Sequence, residues 1–117
     1  MSEFTIYHNP RCSKSRATLA LLEENGLTPE VVLYLENSPG VDELRELLQK
    51  LGIAASQLVR RGEEAYKANG LNQDSSEEAL LAAMAAHPKL IERPIVVKGA
   101  RAVLGRPPEN VLELIGQ

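Results

Sequence analysis

The pattern of apolar and polar positions begins with a strand, a helix and a second strand. Residues 4–7 form a short apolar run typical of a strand. Ser15, Leu19 and Leu22 then recur at helical spacing, and Gly26 is placed to end this helix near residue 25. Residues 31–35 are almost continuously apolar and start with β-branched side chains, which predicts a strand buried on both faces. Strand, helix and strand at this spacing predict a right-handed βαβ unit with parallel strands.

A helical block follows over about residues 40–88. Its first helix carries a stripe of leucines three and four positions apart: Leu44, Leu47, Leu48 and Leu51. Gly52 is expected to end this helix, and shorter helices are predicted near residues 54–60 and 63–69. Ser75 and Glu78 have the S-x-x-E spacing of a capping box, which predicts a further helix that His87-Pro88 ends.

The last part of the chain reads as a hairpin and a helix. Residues 95–98 and 101–104 predict two strands joined by a short turn at Gly99-Ala100. Pro107 and Pro108 suit the first turn of a final helix.

Together these elements predict an α/β fold with a four-stranded mixed sheet. The order is βαβ, helical block, ββα, which is the order of a thioredoxin/glutaredoxin-like fold. We interpret residues 1–117 as a single domain with a helical insertion over about residues 40–88. Pro94, immediately before the third strand, occupies the place where such folds keep a cis-proline beside the active cysteine.

Composition excludes several classes of partner and cofactor. The net charge is −3, and the aromatic residues are one Phe and three Tyr, so neither a basic surface nor a stacking platform for nucleic acid is expected. No apolar run approaches the roughly 20 residues needed to cross a bilayer, and no signal peptide is evident. We therefore expect a cytoplasmic protein with no membrane partner. A single cysteine and the absence of a Gly-rich nucleotide motif predict no metal site and no bound cofactor.

The single cysteine, Cys12, stands where the first strand turns into the first helix. A helix N-terminus presents unpaired N–H groups and a partial positive charge, which stabilise a thiolate and attract small anions. Arg11, Lys14 and Arg16 add positive charge nearby. A lone cysteine is also common as a small buried hydrophobe. The polar and basic neighbours favour a reactive, partly exposed thiol.

The cysteine motif limits the chemistry. It is C-x-x-S, with Ser15 in place of the second thiol that would resolve a mixed disulfide. A phosphatase-type loop has an arginine six positions after the cysteine, but Thr18 stands there. An oxyanion at Cys12 therefore needs guanidinium groups from elsewhere in the chain.

Three arginines at the borders of predicted segments could supply them: Arg60, Arg93 and Arg106. The planar guanidinium matches tetrahedral oxyanions and stays charged, although each of these residues also fits a solvated surface position. His8 ends the first strand and could tune the thiol, or it could be an ordinary hydrogen-bonded residue.

Four segments of the chain, in order, resemble the glutaredoxin-coupled arsenate reductase family, the ArsC-like proteins. They are residues 6–16 (IYHNPRCSKSR), residues 58–60 followed by Tyr66, residues 87–97, and residues 105–108. The likeness covers essentially the whole chain, including the helical insertion.

The resemblance implies a set of roles. Cys12 is the nucleophile, and His8 and Ser15 assist its thiolate. The oxyanion and the arsenylated cysteine are bound by three arginines: Arg60, Arg93 and Arg106. The implied substrate is arsenate or a similar oxyanion, with glutathione as co-substrate and glutaredoxin as reductant. Because the chain has one cysteine, the second thiol needed for a two-electron reduction must come from outside.

A different class of protein shares part of this pattern. Regulators of the Spx type use a similar fold and a similar Arg-Pro-Ile strand start to bind RNA polymerase. They typically carry C-x-x-C and lack the His-Asn-Pro lead-in and a counterpart of Arg106-Pro107, whereas this chain has Ser15, His8 and Arg106. The enzyme is therefore favoured, and a regulator or a thiol-transfer protein with another substrate are the alternatives.

Overall fold

A computed structural model describes residues 3–116 and contains one four-stranded sheet. Its strands are β1 (Phe4–Tyr7), β2 (Glu30–Val32), β3 (Ile95–Lys98) and β4 (Arg101–Leu104). They lie in the order β2-β1-β3-β4. β1 is parallel to β2 and antiparallel to β3, and β4 is antiparallel to β3. The predicted thioredoxin-like mixed sheet is confirmed.

The helices follow the predicted order. They are α1 (Ser13–Glu24), α2 (Val41–Leu51), α3 (Ala55–Leu58), α4 (Glu64–Ala68), α5 (Glu77–Ala86) and α6 (Leu112–Ile115). Two 3₁₀ turns, Pro88–Leu90 and Pro108–Val111, precede β3 and α6. Gly52 ends α2 with a φ of +71°, a left-handed conformation that only glycine adopts without cost.

The described chain divides into two compact units. The first contains the residues up to Tyr34 and from Arg93 onward, and therefore holds the whole sheet with α1 and α6. Its core is a cluster of buried apolar side chains: Phe4, Ile6, Leu22, Val96, Val111 and Leu114. This core supports the sheet and the helix that follows Cys12.

The second unit is the helical segment Leu35–Glu92. In it α2 and α3 pack against α5 through leucines whose exposure is 5% or less: Leu44, Leu47, Leu48, Leu58, Leu80 and Leu81. The leucine stripe predicted for α2 is thus its buried face, except that Leu51 is only half-buried. The interpretation of the chain as one domain with an insertion remains a prediction.

The prediction for β2 is wrong in its extent and in its burial. The strand covers three residues, and Val31 is 44% exposed. The physical reason is its position: β2 is an edge strand paired only with β1, and the chain turns away after Val32. Buried Tyr34 and exposed Leu35 follow outside the strand, so the apolar run is not one buried element.

The start of α5 also differs from the predicted capping box. Ser76, not Ser75, is the N-cap, and its Oγ accepts a hydrogen bond from the N–H of Ala79 at 3.1 Å. Ser75 Oγ instead accepts from the N–H of Asn72 in the preceding turn. Glu78 pairs with Arg45 rather than with the cap.

Two peptide bonds that precede prolines are cis. The Arg93–Pro94 bond is cis, in the place where the fold predicts it, and the Arg106–Pro107 bond is cis as well.

Within residues 3–116, no helix has both the length and the apolar character needed to cross a bilayer.

Ser76→Ala is expected to lower the free energy of unfolding by about 1 kcal/mol, because the N–H of Ala79 loses its partner. Urea denaturation measures the change. Ser56→Ala, at an exposed position in α3, is the matched control and should shift stability by less than about 0.5 kcal/mol. Equal stability of Ser76→Ala and the unmodified protein would contradict the cap assignment.

Candidate active site

The loop between β1 and α1 is folded around Asn9. Its carbonyl accepts the N–H of Cys12 at 3.0 Å, and its side-chain Oδ1 accepts the N–H of Arg11 at 3.0 Å. Cys12 then takes the N-cap position of α1 with an extended backbone, and its carbonyl accepts the N–H of Arg16. The guanidinium of Arg16 donates back to the carbonyl of Pro10 at 2.9 Å. These bonds fix the thiol at the start of the helix.

The Cys12 thiol is more enclosed than the sequence suggested, with 9% of the residue exposed. Burial alone would raise its pKa, but other contacts outweigh burial and hold the pKa below the ordinary value. They are hydrogen bonds from the backbone N–H groups of Ser15 and Lys14 and the charge and hydrogen bond of the Arg93 guanidinium. The first turn of α1 and one arginine therefore favour the thiolate.

Two of the three predicted arginines lie at the thiol. Arg93 hydrogen-bonds to Cys12 through its side chain. Arg106 places Nη1 4.0 Å from Cys12 Sγ and 3.4 Å from the carbonyl oxygen of Arg93. Each guanidinium belongs to a residue that precedes a cis-proline, one at the start of β3 and one after β4.

Arg60 belongs to the helical unit, and its described contacts lie within that unit. Its Nη1 is 3.0 Å from Oε1 of Glu63 and 3.4 Å from the carbonyl oxygen of Lys89, and its Nε is 3.8 Å from Oε1 of Glu92. The sequence analysis did not identify these two carboxylates as partners. The spacing of Arg60 and Glu63, three residues apart beside a short helix, was the available signal. A role for Arg60 in the site remains a prediction.

His8 and Ser15 form a buried pair. His8 Nδ1 lies 2.6 Å from Ser15 Oγ, and the N–H of Asn9 donates to the same oxygen at 3.0 Å. Burial lowers the pKa of His8, and the charge of Arg16 lowers it further, so the imidazole is neutral near pH 7. A neutral ring with its proton on Nε2 can accept a hydrogen bond from the Ser15 hydroxyl at Nδ1. The serine of the C-x-x-S motif is therefore held by the loop that carries Cys12.

The sequence analysis gave no role in the site to two further residues, Thr18 and Gly105. It based the helical repeat of α1 on Ser15, Leu19 and Leu22, whereas Thr18 is fully buried and Leu19 only partly. The signal was present, since Thr18 lies three residues after Ser15 and four before Leu22, the other buried positions of α1. Thr18 Oγ1 donates toward the carbonyl of Gly105, the residue before Arg106.

Comparison with known proteins assigns the chain to a family. The model of the ArsC family matches residues 7–114. The chain belongs to the ArsC family. It is 58% identical over 113 residues to the uncharacterized protein YfgD of Escherichia coli K12, covering 95% of each chain. It is 50% identical over 113 residues to an arsenate reductase of Neisseria meningitidis, covering 95% of this chain and 97% of the relative.

A solved structure supports the same assignment. The arsenate reductase from Vibrio cholerae superposes with a TM-score of 0.91 at 57% sequence identity, over 94% of this chain and 95% of that one. The sheet and helices of this ArsC family member are thus shared with that solved relative.

The geometry of this ArsC family site suits a thiolate that meets an anion. Backbone N–H groups and two guanidinium groups surround a single sulfur, so a bound oxyanion would lie beside the nucleophile. Within residues 3–116, no three side chains of His, Cys, Asp or Glu are grouped to hold a metal ion. The chemistry that the described groups offer is nucleophilic attack by sulfur.

The pKa of Cys12 should be measurable as the midpoint of its alkylation rate by iodoacetamide against pH. We expect a midpoint below that of a free cysteine, so the reactive thiolate persists as pH falls until that lower midpoint is reached. Arg93→Ala should raise the midpoint because a stabilising charge is removed, whereas Arg101→Ala, at an exposed position in β4, should not. A midpoint unaffected by Arg93→Ala would remove Arg93 from the thiol's surroundings.

Proposed function

We propose that this protein reduces arsenate to arsenite, with the Cys12 thiolate as the nucleophile. The observation that carries the proposal is one sulfur, with a lowered pKa, beside the guanidinium groups of Arg93 and Arg106. Support comes from the relatives in Neisseria meningitidis and Vibrio cholerae, which are named arsenate reductases. Each is at least 50% identical to this chain over nearly its whole length.

The first step in this proposal forms a sulfur–arsenic bond. The thiolate attacks the arsenic of arsenate, and one oxygen leaves as water after it has taken up protons. The arsenate oxygens carry negative charge throughout, so two guanidinium groups stabilise the bound anion and the adduct by charge-assisted hydrogen bonds. Arg93 and Arg106 are the residues proposed for this role, and Arg60 remains in it on the family resemblance alone.

The second step requires electrons from another molecule. Arsenic(V) gains two electrons when two thiols become one disulfide, and the only oxygen lost overall is the one that left as water in the first step. Cys12 is the only cysteine of the chain, so the second thiol is external. We propose glutathione as this co-substrate and glutaredoxin as the protein that reduces the resulting disulfide, with no bound cofactor. This chemistry suits the cytoplasm, where glutathione keeps thiols reduced.

His8 and Ser15 are proposed to assist the thiolate indirectly. The backbone N–H of Ser15 donates to the sulfur, while its hydroxyl bonds to His8 and to the loop at Asn9. The pair thereby holds the first turn of α1 against the loop. Because burial and the charge of Arg16 lower the pKa of His8, its imidazole is neutral near pH 7 and adds no positive charge beside the loop.

Arsenate-dependent oxidation of NADPH, in a mixture with glutathione, glutaredoxin and glutathione reductase, tests the activity. Turnover is expected for the unmodified protein and should be lost in Cys12→Ser, because a serine hydroxyl is not ionised at neutral pH. Arg101→Ala is the control and should retain turnover. Absence of arsenate turnover in a folded protein with an alkylatable Cys12 would overturn the proposal.

Arg93→Ala is expected to weaken noncovalent arsenate binding by roughly 1.5–3 kcal/mol, because a charge-assisted hydrogen bond to the anion is lost. Calorimetric titration in a Cys12→Ser background measures binding without the covalent step. Arg93→Lys should recover part of the affinity, since it restores the charge but not the planar fork. Unchanged affinity in Arg93→Ala would exclude this side chain from the anion site.

A further inference from the structure

Three segments that carry residues of the site meet at one close contact. Thr18 lies in α1, Pro94 follows Arg93, and Gly105 precedes Arg106. A Cβ atom on Gly105 would lie 2.6 Å from Thr18 Oγ1 and 2.9 Å from Pro94 Cγ, closer than side chains pack. The contact therefore exists only because residue 105 has no side chain.

A hydroxyl group adds a polar link to this contact. Thr18 Oγ1 lies 2.8 Å from the carbonyl oxygen of Lys14 and 3.2 Å from that of Gly105, so its one proton is shared between the two. Thr18 is fully buried. The N–H of Gly105 in turn donates to the carbonyl of Pro94 at 2.9 Å. The hydroxyl thus joins the helix that follows Cys12 to the residue before Arg106.

Asn110 holds the same segment from its other side. Its Nδ2 donates to the carbonyls of Leu104 at 3.1 Å and Arg106 at 3.2 Å. The carbonyl oxygens of residues 104–106 therefore all accept hydrogen bonds from side chains. Thr18 donates to the middle one and Asn110 to the other two. From this fixed backbone the guanidinium of Arg106 reaches to 4.0 Å from Cys12 Sγ.

We propose that Thr18, through its contact with Gly105, is a positioning residue that sets the distance between the Arg106 guanidinium and the Cys12 sulfur. The proposal rests on the proposed oxyanion-binding role of Arg106. Thr18 touches neither the sulfur nor the anion in this scheme. It acts by tying the backbone before Arg106 to the helix whose first turn holds the thiolate.

The charge beside the thiol can be measured without arsenate. Cys12 is alkylated in parallel with iodoacetate, which is negative, and iodoacetamide, which is neutral, at one pH. The fraction of thiolate and the access to the sulfur affect both rates equally, so they cancel when the iodoacetate rate is divided by the iodoacetamide rate. This ratio therefore reports the positive potential beside the sulfur. Arg106→Ala should lower this ratio by about threefold or more, because a nearby charge is removed.

Thr18→Val removes the hydroxyl and keeps the branched shape, and it should lower the ratio toward that of Arg106→Ala. Thr18→Ser keeps the hydroxyl and should retain the ratio of the unmodified protein. Thr28→Val, at an exposed position before β2, is the matched control and should also leave it unchanged. The KM for arsenate should rise in Thr18→Val and be restored in Thr18→Ser.

The double variant separates positioning from a general loosening of α1. If Thr18 acts through Arg106, Thr18→Val has no further effect on the ratio in an Arg106→Ala background. A ratio unchanged by Thr18→Val, or lowered equally in both backgrounds, overturns the inference. So does a ratio that Arg106→Ala leaves unchanged. Should Thr18→Val fail to fold, Gly105→Ala displaces the same contact from the other side and is expected to lower the ratio.

The two measurements, alkylation rates and arsenate turnover, distinguish a failure of this inference from a failure of the proposed function. If the rate ratios follow the expected pattern but the unmodified protein does not turn over arsenate, the positioning contact holds and another anion is the substrate. If arsenate is turned over and the ratio does not respond to Thr18→Val, the function stands and the positioning role is wrong.

Discussion

The candidate site depends on stabilising the Cys12 thiolate although the residue is almost completely buried. A thiol with 9% exposure is driven toward its neutral form by desolvation. Two kinds of hydrogen-bond donor counter this effect. The first is the N–H groups in the first turn of α1, which have no acceptor within the helix, and the second is the guanidinium groups of Arg93 and Arg106, which precede Pro94 and Pro107. The helix supplies the first kind because it starts directly after Cys12, its N-cap residue. The second kind requires the sheet, because β3 and β4 place the two arginines.

The difference between features set by a local segment and features set by the whole sheet explains which parts of the protein could be predicted from the sequence. The strand-to-helix turn at Cys12, the leucine stripe of α2 and the hairpin of β3 and β4 are local patterns, and each was confirmed. The edge position of β2 is a property of the whole sheet. An apolar run does not reveal on which side its neighbours lie, so the strand was predicted to be longer and more buried than it is.

The same limit applies to the site. Arg93 and Arg106 were candidates because each precedes a proline at the border of a segment, and the structure brings both to the thiol. The pairing of Arg60 with Glu92 joins residues far apart in sequence and had no local signal. Thr18 and Gly105 are 87 positions apart, and their contact depends on the absence of a side chain at residue 105. Side-chain identity can suggest a chemistry, but contacts of this kind require the folded chain.

The buried serine of the C-x-x-S motif has a consequence for how such a protein depends on its cell. Ser15 Oγ accepts the N–H of Asn9 and meets His8, so the position that a resolving thiol would occupy already stabilises the loop. A sulfur atom there would be a larger and weaker hydrogen-bond partner. On the proposed chemistry, the second thiol of the reaction therefore comes from another molecule and not from this position of the chain. The rate of arsenate reduction would then follow the supply of glutathione, and a shortage of this thiol would stop the reaction while the protein itself stayed intact.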